Sequence, residues 1–85
     1  MNTEKSASLF LSGDAISVLG LGVSGSAAAR LAHAHGAEVY ASDASDGPAQ
    51  RDAAERLKAE GIDAKAGHHD VERILASRLV ITSPG

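Results

Sequence analysis

An α/β fold built on a parallel sheet is predicted for this chain by three observations. Apolar strand-like segments alternate with helix-length segments along its whole length, a glycine-rich turn follows the first strand, and an aspartate closes the second. Alternation of this kind places helices on a parallel sheet through right-handed crossovers, most simply in the strand order 3-2-1-4.

The elements follow in order after a polar leader over residues 1–14. Ile16, Ser17, Val18 and Leu19 form a short apolar run expected as a buried first strand, and Ser24 to His35 is expected as an alanine-rich helix ended by Gly36. Glu38 to Asp43 reads as the second strand. Ser45, Asp46, Gly47 and Pro48 make a turn into a helix over residues 49–60, closed by Gly61. Ala53, Ala54, Leu57 and Gly61 are expected on its inner face, with Asp52 and Arg56 paired across one outer turn. Residues 62–66 form a short third strand. Asp70 is placed to cap a helix carrying Val71, Ile74 and Leu75, and Leu79 to Thr82 form the fourth strand.

Only Ser83, Pro84 and Gly85 follow that strand. A doubly wound domain ordinarily continues, so residues 15–85 are expected to be an incomplete domain, truncated before its last helix and strand. The uncovered edge of the fourth strand is predicted to promote self-association.

Composition narrows the function. A chain of 85 residues is at most one domain, and its single Phe, single Tyr and absent Trp leave a core of Ala, Val, Leu and Ile. Such a core suits thin helix-on-sheet layers and not a deep apolar pocket. A formal charge of -3 without a basic run argues against nucleic acid or an anionic membrane as partner. No segment is long and apolar enough for a membrane span or a signal peptide, which makes the cytoplasm the expected compartment. The absence of cysteine removes disulfides, thiolate metal sites and thiol catalysis.

Chemistry concentrates at one motif. Gly20, Gly22 and Gly25 form a GxGxxG turn between strand and helix. The first glycine turns the chain sharply, the second leaves room for a phosphate against the backbone, and the third lets helix and strand pack closely. The helix beginning near Ser24 adds free N–H groups and the positive end of its dipole. Asp43 ends the second strand, where a carboxylate accepts hydrogen bonds from a ribose or a base; its plainer role is to order the turn through Ser45. A Walker loop is excluded because Ser26-Ala27 stands where Lys-Ser/Thr is required. His33 and His35 point to opposite sides of a helix, and His68-His69-Asp70 lacks a third ligand at a suitable spacing, so neither suggests a metal site. His68 lies on the same carboxyl edge as Gly22 and Asp43. Ser83 does too, without an evident base to make it a nucleophile.

The segments Gly20-Leu-Gly-Val-Ser-Gly-Ser-Ala-Ala-Ala-Arg-Leu31, Gly36-Ala-Glu-Val-Tyr-Ala-Ser-Asp43 and Leu79-Val-Ile-Thr-Ser-Pro-Gly85 together resemble the Rossmann-like N-terminal domain of the Mur ligases. The likeness is strongest to the members that add D-glutamate to UDP-N-acetylmuramoyl-L-alanine, and the Ser-Pro-Gly after an apolar strand separates it from common NAD-binding domains. The resemblance implies a domain that holds the UDP part of that substrate and is not catalytic alone. Gly22, Val23, Ser24 and Gly25 would meet the diphosphate, Asp43, Ala44 and Ser45 the uridine, and Gly67 and His68 the uracil. It implies no cofactor in this stretch. ATP and Mg²⁺ would be bound by a further domain of the full-length ligase, which activates the substrate carboxylate as an acyl phosphate for attack by the amine of D-glutamate. Two other readings remain open: a dinucleotide-binding domain of an oxidoreductase or redox sensor, with Asp43 on the adenosine ribose of NAD, and a scaffold without a ligand.

Overall fold

A computed structural model describes residues 13–83. Four strands, β1 (Ala15–Leu19), β2 (Glu38–Asp43), β3 (Asp63–Ala66) and β4 (Leu79–Thr82), form one parallel sheet in the order β3-β2-β1-β4. The crossovers are α1 (Val23–Ala34), α2 (Pro48–Ala59) and α3 (Val71–Ala76). Both the α/β class and the 3-2-1-4 order read from the sequence are present. Most of the leader, together with Pro84 and Gly85, lies outside the described residues. Gly13 and Asp14 are already tied to the domain, through Gly13 N–H to the Gly36 carbonyl and Glu38 N–H to the Asp14 carbonyl.

Side-chain alternation along the strands divides the molecule into three layers. One row runs across the sheet through Ala64, Ala41, Val18 and Ile81, which are register partners. With Ile16 and Val39 it faces α1 and α2, whose Ala29, Ala32, Ala54 and Leu57 complete the core. The small alanine side chains bring the helices close to the sheet, and Leu57 is the one large side chain that α2 buries fully. Burial of such a leucine contributes roughly 1.5–3 kcal/mol.

The opposite face carries Ser17, Tyr40 and Ser42, all buried. Buried polar groups need partners, and α3 with its preceding loop supplies them. Ser77 Oγ bonds Ser17 Oγ, the Asp70 N–H donates to the Tyr40 hydroxyl, and His69 Nδ1 bonds Ser42 Oγ. The Arg73 guanidinium lies over the Tyr40 ring and pairs with Asp63.

Several boundaries differ from the sequence reading for local reasons. Helix α1 begins one residue earlier and ends at Ala34 with His35 as its cap, while Pro48 occupies the first turn of α2. Ile62 falls outside β3 because its N–H bonds the Leu57 carbonyl and closes α2. Gly61, expected on the inner face of α2, is exposed in a left-handed conformation just past the helix end. Of the apolar residues in α3 only Ile74 is half-buried; Val71 and Leu75 are exposed. The Asp52–Arg56 pair is present at 2.9 Å, and Asp70 accepts the Arg73 N–H as the cap of α3.

Candidate functional site at the carboxyl edge of the sheet

The residues singled out from the sequence as ligand contacts gather at the carboxyl edge of the sheet: Gly22 with the first turn of α1 beyond β1, Asp43 at the end of β2 with Ala44 and Ser45 after it, and Gly67 and His68 beyond β3. Open parallel sheets bind ligands at that edge. The three glycines of the first loop meet three different surroundings. Gly20 has φ +117°, and a Cβ there would stand 2.9 Å from the Ser83 Cβ. A Cβ on Gly25 would stand 1.9 Å from the Gly20 carbonyl oxygen, so this position admits no side chain. A Cβ on Gly22 would meet nothing within 4 Å. The open space is above the second glycine.

Helix α1 starts directly beyond this turn. Gly22 is its cap and offers no side-chain acceptor, and its first turn holds no acidic residue. The leading N–H groups of a helix have no partner within the helix. Val23, Ser24 and Gly25 therefore present an uncapped, electropositive helix end. Val23 and Ser24 are exposed there, whereas Gly25 is buried against Gly20.

Asp43 joins the loops. Its Oδ2 accepts the Leu21 N–H at 2.9 Å, and its Oδ1 accepts the Ser45 N–H at 2.9 Å. Its backbone carbonyl accepts the N–H groups of Gly67 at 2.8 Å and His68 at 3.1 Å. One residue thus ties the glycine turn, the β2–α2 loop and the β3–α3 loop together. The turn-ordering role considered for Asp43 is present, and the bond to Leu21 extends it to the neighbouring loop. Ala44, Ser45, Gly67 and His68 are exposed around this hub. Gly67 has φ +80°, and a Cβ there would come within 2.9 Å of the Asp46 Cβ, so glycine permits the close approach of the two loops.

Sequence reasoning missed two features. The first is a cleft of about 320 Å³ between α1 and α2, lined by Gly22, Val23, Ala49, Ala53, Arg30 and Arg56. It opens beside the glycine turn. Its two guanidinium groups are engaged, Arg56 by Asp52 and Arg30 by a bidentate contact with Glu60 at 2.8–3.0 Å. That hydrogen bond holds the Arg30 guanidinium above its ordinary pKa and the Glu60 carboxyl below the usual carboxylate value. The second is the His69–Ser42 contact at 2.6 Å, which no sequence spacing signals. Ser83 lies against Gly20 and Gly25; its hydroxyl is buried and has no hydrogen-bond partner among the described residues. No helix among the described residues is long and apolar enough to cross a membrane.

The sheet order, the glycine turn after β1 and the acidic end of β2 define a Rossmann-like α/β domain. The family model for the Mur ligase MurD-like N-terminal domain matches residues 14–85. Similar proteins include the UDP-N-acetylmuramoylalanine--D-glutamate ligases of Chlorobaculum parvum, 40% identical over 88% of this chain, and Frankia casuarinae, 45% identical over 80%. The ligase of the same name from Halalkalibacterium halodurans is 41% identical over 82% of the chain. The aligned part amounts to 14–15% of the length of each relative. The chain belongs to the Mur ligase family, as a MurD-like N-terminal domain.

Proposed function

We propose that this chain is the substrate-holding part of a peptidoglycan-synthesis ligase and binds the UDP moiety of UDP-N-acetylmuramoyl-L-alanine. The observation that carries this reading is the convergence of three loops on Asp43 beside an uncapped helix end. The diphosphate would lie over Gly22 and accept hydrogen bonds from the N–H groups of Val23, Ser24 and Gly25, with the α1 dipole favouring its charge. Asp43, Ala44 and Ser45 would face the uridine, and Gly67 with His68 would border the uracil. Family membership and the names of the relatives support this choice of nucleotide.

Binding at this edge fixes the position of the nucleotide and leaves its sugar-linked carboxylate to be activated elsewhere. In the complete ligase, ATP and Mg²⁺ would act through other domains, so the 85-residue chain is proposed to bind without catalysing. The same reading places the chain in the cytoplasm. We further propose that the outer edge of β4 pairs with a second copy of the chain. Leu79, Val80, Ile81 and Thr82 carry no charge, whereas the other sheet edge, β3, carries Asp63 and Lys65. Charged edges resist pairing and neutral ones permit it.

Calorimetric titration of the chain with UDP, and separately with NAD, tests the nucleotide assignment. Saturable heat with UDP alone is expected. Heat with NAD alone would place the domain among oxidoreductase dinucleotide sites, and none with either would leave it a scaffold.

A further inference from the structure

We infer that His69 is a positioning residue of the nucleotide site, setting the loop that carries Gly67 and His68 without itself touching ligand; this rests on the UDP reading above. Four consecutive residues of that loop are pinned to β2. Gly67 and His68 donate their N–H groups to the Asp43 carbonyl, His69 places Nδ1 2.6 Å from Ser42 Oγ, and Asp70 donates its N–H to the Tyr40 hydroxyl. Three of these anchors are backbone groups that any sequence could supply. The His69 imidazole is the only side chain of the four that anchors the loop to β2.

Its partner explains its influence. Ser42 is fully buried on the α3 face of the sheet, adjacent to Asp43 and in register with Leu19 at the start of the glycine turn. A buried hydroxyl without a partner is costly, so the Ser42 Oγ holds the imidazole in place. The hold fixes the peptide between His68 and His69, and through it the direction in which Gly67 and His68 face the ligand edge. His69 is half-buried while His68 is exposed, so of this adjacent pair one faces the scaffold and the other is open to solvent.

The test compares UDP affinity in wild type, His69→Gln and His69→Asn, with hydrogen exchange of backbone amides measured in each. Asn places a polar atom near the position of Nδ1, whereas the Gln amide reaches toward that of Nε2. Loss of one buried hydrogen bond corresponds to about a tenfold change in affinity. His69→Gln is therefore expected to bind UDP about tenfold more weakly, with faster exchange at Gly67 and His68 and unchanged exchange at Gly20. His69→Asn is expected to restore both affinity and protection. Wild-type affinity in His69→Gln, or an Asn variant as weak as the Gln variant, would overturn the assignment while leaving the UDP site standing. A wild-type chain that fails to bind UDP would overturn the underlying reading and this assignment with it.

Discussion

The Asp43 carboxylate accepts the backbone N–H of Leu21 at 2.9 Å, joining the end of β2 to the middle of the glycine turn. The turn is therefore braced from the neighbouring strand, and the geometry over Gly22 depends on a side chain 22 positions beyond Leu21. Replacing Asp43 by Ala removes two charge-assisted hydrogen bonds and leaves the Leu21 and Ser45 amides without that acceptor. Each such bond contributes about 1.5–3 kcal/mol where water is excluded and less at a half-exposed site. A destabilisation of about 2 kcal/mol is expected for Asp43→Ala in urea melts. Asp43→Asn should fall between, since its amide can accept one N–H but turns donors toward the other.

The glycines should separate fold from binding. Gly22→Val places a branched side chain in open space at a cap with extended backbone, so the variant should fold with its melting temperature little changed and lose UDP binding. Gly25→Ala pushes a methyl group into the Gly20 carbonyl, and should cost about 3 kcal/mol or more through forced separation of helix and strand. Circular dichroism melts beside UDP titrations check both. Equal binding in a folded Gly22→Val chain would contradict the proposed phosphate position.

The Arg30–Glu60 pair gives a pH dependence of known sign. Glu60 has its pKa lowered in the folded state, chiefly by the hydrogen bond from Arg30, so its contribution is present above the unfolded carboxylate value and fades as pH falls through the lowered one. Both side chains are well exposed, which keeps the effect small and sensitive to salt. The melting temperature of Glu60→Gln should lie below that of wild type at neutral pH and converge with it in acid. A gap that widens in acid would contradict the assignment.

The contrast between the sheet edges predicts concentration-dependent association of the 85-residue chain, measurable by sedimentation velocity. Val80→Lys adds a charge at an exposed position of β4 and should shift the equilibrium toward monomer. Monomeric sedimentation of wild type at all concentrations would remove the proposed pairing.

Much of this architecture was legible in the sequence because it follows from local rules. Alternating strand and helix patterns, glycines at two helix ends and Asp70 before Val71 gave every described element and the strand order. Boundaries slipped where helix-end capping bonds decided them, as at Ile62, whose N–H closes α2 instead of joining the sheet. Burial along α3 was not legible, because the spacing of apolar residues does not show whether a neighbour covers them; Leu75 remains 79% exposed. At the site, the sharp turn at Gly20 and the close packing at Gly25 were readable from their order, but the bracing of Leu21 by Asp43 and the seating of His69 on Ser42 join residues distant in sequence. No periodicity encodes such contacts.

The most direct measurement is an amide NMR titration of the chain with UDP-N-acetylmuramoyl-L-alanine, with NAD added to a parallel sample. Selective, saturable shifts at Val23, Ser24, Gly25, Ser45, Gly67 and His68 with the UDP ligand are predicted, with the amides of β4 unaffected. Shifts at these positions only with NAD, or no response to the UDP ligand from a folded chain, would contradict the account.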